Sequence, residues 1–228
     1  METKTTATTD EKKVSKSHYE TIDEKITKMK VTFDNATLPE IFTVMVTVGY
    51  TAEKIDGMKN NLNDLILLNV NQVKESAEQS AEQTKFDDKR KEINTLFNTH
   101  RGMLRIFFKG NDPAYKTLQL NVENPTAYGN WNQLVTRFYV QLAKPEMYEQ
   151  TSTVAITQEV VTAQQQALTE LDTLKDSIIK DSGDAVGATH ARDVAYDELY
   201  PQYSDYVKYA KLLLPDASLL KMLGITVK

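Results

Sequence analysis

The stretch from Gly49 to Asn111 constrains the fold most, because it reads as two long helices folded back on each other. On the second arm Ile93, Leu96, Phe97, His100, Met103, Leu104 and Phe107 recur at steps of three and four. That spacing places them on one helical face. Asn94, Asn98, Arg101 and Arg105 fall between them, on the opposite face. Phe108 widens the apolar stripe, as a core-facing bundle helix needs. The first arm repeats the pattern more loosely, through Ile55, Met58, Leu62, Leu65, Leu68 and Val73. Between the arms runs Ser76-Ala77-Glu78-Gln79-Ser80-Ala81-Glu82-Gln83, polar and free of Gly and Pro. Its residues are mostly tolerable helix formers, so it serves as a hairpin tip or as continued helix. The hairpin is the expectation.

The chain uses this unit twice. At an offset of 106, Pro39-Glu40-Ile41-Phe42 meets Pro145-Glu146-Met147-Tyr148, Thr51 meets Thr157, and Glu53 meets Glu159. Ile55, Leu62, Leu65 and Leu68 meet Val161, Leu168, Leu171 and Leu174. Past the tip the offset falls to 103, where Ile93, Leu96, Phe97, His100, Met103, Leu104 and Phe107 meet Tyr196, Leu199, Tyr200, Tyr203, Tyr206, Val207 and Ala210. A three-residue change in tip length accounts for both offsets, and tips tolerate such changes.

Ser17–Phe33 is expected to form a helix, with Tyr19, Ile22, Ile26, Met29 and Phe33 on one face. Pro39 suits the first turn of a short helix, where its missing N–H costs nothing. Gly49 ends that helix and Thr51 caps the next. The junction between the units lies near Asn121–Asn130, where Asn124-Pro125 and Tyr128-Gly129-Asn130 are turn chemistry. Trp131, Leu134, Val135, Phe138 and Leu142 then form a helix. Asp112-Pro113 and Pro215-Asp216 each lead into a short apolar helix, and Pro201 is expected to bend its own.

The expected fold class is therefore all-α: four long helices in an up-down-up-down bundle, built from two tandem helical hairpins with short helices at the ends. Residues 1–16 are expected to form a disordered tail, and 17–228 one domain with repeat units near 33–123 and 131–228. The Gly-Tyr-Thr-x-Glu-Lys run of Gly49–Lys54, opening a long polar-tipped hairpin that occurs twice, resembles an uncharacterised group of bacterial all-helical proteins. The second copy departs from it, as Ala155-Ile156-Thr157-Gln158-Glu159-Val160. The resemblance spans most of Phe33–Ile225; it implies the fold and no activity.

The 228 residues carry a net charge of −5, spread along the chain. That leaves no basic footprint for nucleic acid and no polybasic segment for anionic lipid. No cysteine is present, which removes thiolate chemistry and disulfides. The apolar runs Leu65–Leu68 and Ile106–Phe108 are far short of the roughly 18 residues of a membrane span. Met1–Lys16 lacks the apolar core of a signal peptide, so a cytoplasmic protein is expected.

Chemistry is sparse. Di-iron bundles need Glu-x-x-His, but Ser15, Phe97 and Gly187 precede His18, His100 and His190 by three residues. His100, on the apolar stripe, is expected to be a hydrogen-bonded ring at the edge of the core. His190 is expected near a tip, in water. Gly183 and Gly187 fit a hairpin turn, and Asp87, Asp88, Asp181 and Asp184 fit solvated tips. No nucleophile elbow or phosphate loop occurs. No catalytic, cofactor or metal site is expected, and the chain is not expected to be an enzyme.

The least ordinary feature is a row of tyrosines: Tyr196, Tyr200, Tyr203, Tyr206 and Tyr209. They suit either a core seam or an interaction face, because Tyr joins an apolar body to a polar tip. The expected role is structural or scaffolding, through a protein partner or self-association. Two alternatives are a bundle holding an apolar small molecule and a helical protein that inserts into membrane through Ile41–Val48 or the C-terminal helix.

Overall fold

The computed structural model describes residues 20–226, all of them in helices, turns and loops. The tail at residues 1–16, His18 and Tyr19 lie outside the described residues. The first helix, α1 (Ile22–Asn35), starts at Thr21. The Thr21 hydroxyl accepts the Glu24 N–H at 3.3 Å, and the Thr21 N–H donates to the Glu24 carboxylate at 2.7 Å. This reciprocal capping explains why the helix begins there. Its buried face is Ile26, Met29, Thr32 and Phe33. Helix α2 (Pro39–Met45) has Pro39 in its first turn, as expected, and runs into a single 3-10 turn, Val46–Val48. Gly49 ends that turn at φ 84°, in the left-handed region that glycine enters without a Cβ clash.

The next helix, α3 (Ala52–Phe107), is one unbroken element of 56 residues. The expected hairpin is therefore corrected. Ser76–Gln83 is helix, not tip, because nothing in it supplies a left-handed residue or removes a donor. After α4 (Asp112–Thr117) and α5 (Tyr128–Leu142) come α6 (Pro145–Thr151) and a 3-10 turn, Ser152–Val154. Then α7 (Gln158–Leu213) again runs 56 residues, through Gly183, Gly187 and Pro201. A short α8 (Ala217–Met222) follows. Two long helices thus replace the four expected ones. The two helices are equal in length and start 106 residues apart, at Ala52 and Gln158. Tyr128-Gly129-Asn130 is also corrected: it is the first turn of α5.

The chain divides into two compact units, and the division falls inside both long helices. The first unit comprises residues 20–67 and 194–226. It joins α1, α2 and α8 to the start of α3 and the end of α7. Met29, Phe33, Ile41, Met45, Ile55, Met58, Leu65 and Leu223 form its core. Thr32 donates to the Leu223 carbonyl at 2.8 Å and Asn35 to that of Met222 at 2.7 Å, which ties the end of α8 to α1.

The second unit is residues 68–193, with α4, α5 and α6 against the rest of α3 and α7. Here the two long helices pack side by side and antiparallel. Lys89 meets Glu170 at 2.7 Å, and Arg192 meets Gln72 at 3.0 Å. The core holds Phe97, Leu104, Trp131, Val135, Phe138, Tyr139 and Leu171. Burying such a side chain contributes about 1.5–3 kcal/mol. The α3 stripe is narrower than its sequence suggested. Ile93, Phe97, His100, Leu104 and Phe108 are buried, but Leu96 and Phe107 are 36% and 39% exposed.

Candidate interaction face

All five tyrosines of the row lie in the first unit, on one stretch of α7, but they do not share one environment. Tyr206 is fully buried, edge-on to Tyr50 at 4.8 Å and to Phe33 at 6.5 Å. Burial pushes its hydroxyl pKa well above the ordinary tyrosine value, and that hydroxyl has no hydrogen-bond partner among the described residues. Tyr203 is half-buried, edge-on to Phe33 at 6.1 Å. Tyr196 and Tyr200 stack with centroids 5.2 Å apart, and the Lys25 ammonium lies 5.1 Å from the Tyr196 ring. Tyr200 and Tyr209 stay exposed, at 40% and 43%. Seam and face are thus two sides of one row. The helical period turns Tyr206 inward with Leu199 and Ala210, and leaves Tyr200 and Tyr209 at the rim.

In the second unit, the polar residues between the apolar positions of α3 do not simply face water. Arg101 is only 3% exposed. Its guanidinium donates to Asn124 Oδ1 at 2.5 Å and to the carbonyls of Gln119 (2.9 Å), Leu120 (3.3 Å) and Val122 (2.5 Å). Arg105 donates to the Leu120 carbonyl at 2.7 Å. Asn98 accepts from Asn124 at 2.6 Å, and Asn94 accepts the Trp131 indole N–H at 2.9 Å. Asn94, Asn98, Arg101 and Arg105 thus form a latch one side chain wide. Arg101 and Arg105 hold the segment between α4 and α5 by its backbone oxygens, Asn98 holds its Asn124 side chain, and Asn94 holds Trp131 of α5. Their spacing of four, three and four is visible in the sequence, but the burial of Arg101 is not, since Arg seldom lies inside.

His100 is buried beside Tyr139, its Nδ1 3.0 Å from the Tyr139 hydroxyl. This matches the expected hydrogen-bonded core-edge ring. Burial lowers its pKa below 6.5. In the unfolded chain the imidazole protonates near its ordinary value, whereas in the fold it resists. Stability is therefore full above about pH 6.5 and declines as the pH falls below it. Urea midpoints measured from pH 7 to pH 5 should fall more steeply for the parent than for His100→Gln. Equal slopes would show that His100 does not govern this acid sensitivity.

The clefts among the described residues are open grooves. One of 650 Å³ is walled by Lys85, Lys89, Glu92 and Glu170 of the second unit. One of 400 Å³ in that unit includes the exposed His190. Among the described residues no three His, Asp or Glu side chains gather at metal-binding distance, and no helix is long and apolar enough to cross a membrane. No family model, curated protein or solved structure matches the chain.

Proposed function

We propose that the chain is a non-enzymatic scaffold acting through protein contacts, with the rim tyrosines of α7 as the contact. The observation that carries this reading is the exposure of Tyr200 and Tyr209 beside a tightly packed aromatic core. Aromatic side chains at a surface rim, rigid and amphipathic, are what interfaces enrich. The contact is with a partner protein or a second copy of the chain, in the cytoplasm.

Internal duplication is part of the same reading. It is supported by the element order, which is the same in both halves from α2 onward, and by two long helices of 56 residues each. Gly49 and Ala155, 106 apart, both hold positive φ ahead of a threonine. The N–H of Tyr50 reaches the Met45 carbonyl just as that of Ile156 reaches Thr151. Two copies of a helical unit fit a scaffold, since each presents its own surface.

The test is light scattering after size exclusion, joined to co-precipitation from the host. The double variant Tyr200→Ser/Tyr209→Ser should lose assembly or partner while keeping its helicity. Its stability should stay within about 0.5 kcal/mol of the parent, as for other surface changes. Assembly unchanged in the variant would remove the tyrosine rim. A parent that is monomeric and recovers no partner would remove the scaffold reading.

A further inference from the structure

The two units treat one matching stripe differently. In the second, Asn94, Asn98, Arg101 and Arg105 engage Trp131 and the 119–124 segment, the arginines through its backbone oxygens. At the 106 register the same stripe of α7 carries Tyr200, Ser204, Val207 and Lys211. All four line a groove of 360 Å³ in the first unit, opposite the start of α1. No described segment lies across them.

The groove is also basic in a protein whose net charge is −5. Lys25, Lys28, Lys208 and Lys211 line it, against one carboxylate, Glu20. Glu20 pairs with Lys28, and Asp205 takes Lys208 at 2.9 Å. Lys25 leans over the Tyr196 ring, and Lys211 makes no ion pair with a described residue. The donors thus outnumber the acceptors, and the Tyr200 ring supplies a flat apolar flank. Exposed pairs such as Lys208–Asp205 are worth little and exchange readily for a better anion.

We propose that this groove binds an extended acidic peptide segment of a partner protein. Its carboxylates lie against Lys25, Lys208 and Lys211, and its backbone oxygens face the Ser204 and Tyr200 hydroxyls. The 119–126 segment shows the mode within the same chain: an irregular loop whose backbone oxygens are held by donors along one helix face. The charge of the walls selects the partner. This inference rests on the scaffold reading and names the chemistry of the partner.

The experiment uses the full chain and a fluorescein-labelled ten-residue peptide of alternating Glu and Ser. Peptides with Gln or Lys in place of Glu are the controls. The acidic peptide should bind, and added salt should weaken it. Lys208→Glu/Lys211→Glu should cut its affinity about tenfold or more, with Lys208→Gln/Lys211→Gln in between. Circular dichroism confirms that each variant is folded.

Equal binding of acidic and Gln peptides, or full binding by the charge-reversed variant, overturns the proposal. So does displacement of the peptide by inorganic phosphate at matching concentration, which marks a small-anion site. Tighter binding to anionic vesicles than to peptide marks a lipid surface instead. Affinity that appears only after residues 1–19 are deleted makes the chain's own N-terminal segment the occupant. A partner captured by the charge-reversed variant as well as by the parent defeats the groove while leaving the scaffold standing.

Discussion

Ala81→Pro should destabilise the protein by about 3 kcal/mol or more. Residue 81 lies in the middle of the polar run that the sequence offered as a hairpin tip, and it is exposed. In an unbroken α3 its N–H belongs to the backbone ladder, and a proline ring there collides with the carbonyl four residues earlier. In a tip the same change would be nearly silent. Since the side chain is exposed, packing contributes almost nothing, and the measurement reads backbone alone. Ala81→Gly gives the scale, at about 1 kcal/mol. Urea unfolding followed by far-ultraviolet dichroism decides the matter. A proline variant within about 0.5 kcal/mol of the parent would restore the hairpin.

Arg101→Ala should cost about 3–5 kcal/mol, through a different mechanism. The guanidinium serves three backbone carbonyls and the Asn124 side chain from a position only 3% exposed. Truncation leaves several of those oxygens without a donor, at about 1–3 kcal/mol for each one that water cannot reach. It also empties the space of the stem. Burial and the adjacent Arg105 both depress the guanidinium pKa. Among the described residues no carboxylate pairs with it, so the carbonyl dipoles balance the charge. Arg101→Lys should recover only part of the loss, because a single ammonium does not span the fork. Hydrogen exchange should speed up across residues 118–126 in both variants. Protection there that matches the parent would show that the latch is redundant.

Much of the helical layout is legible in the residues. Pro39, Pro145, Gly49 and the two threonines 106 apart mark short helices and caps, because proline and glycine act locally. The apolar helix from Trp131 to Leu142 is legible for the same reason, since periodicity alone defines it. The long helices differ from the expected hairpins where the sequence signal is weakest. Ser76–Gln83 has neither a breaker nor an apolar face, so neither periodicity nor turn chemistry separates helix from tip there. Leu96 and Phe107 show the limit of pattern reading: both are apolar at helical spacing, yet both sit just off the seam. Arg101 shows the converse, a charge whose burial depends on carbonyls about twenty residues away in the chain. The tyrosine row was found by composition. Its split into inward and rim positions needed α1 and Tyr50 in place.

The way the two units share the chain has a consequence for how the protein is made. Residues 68–193 are contiguous, and their core can close as soon as they have left the ribosome. The other unit needs residues 20–67 and 194–226 together, so Met29, Phe33 and Ile55 must wait, greasy and uncovered, until Tyr206, Ala210 and Leu223 have been synthesised. Maturation of that unit therefore waits for residues 194–226, and a message cut short before them yields a half-product with an open hydrophobic wound, a natural substrate for chaperones and proteases.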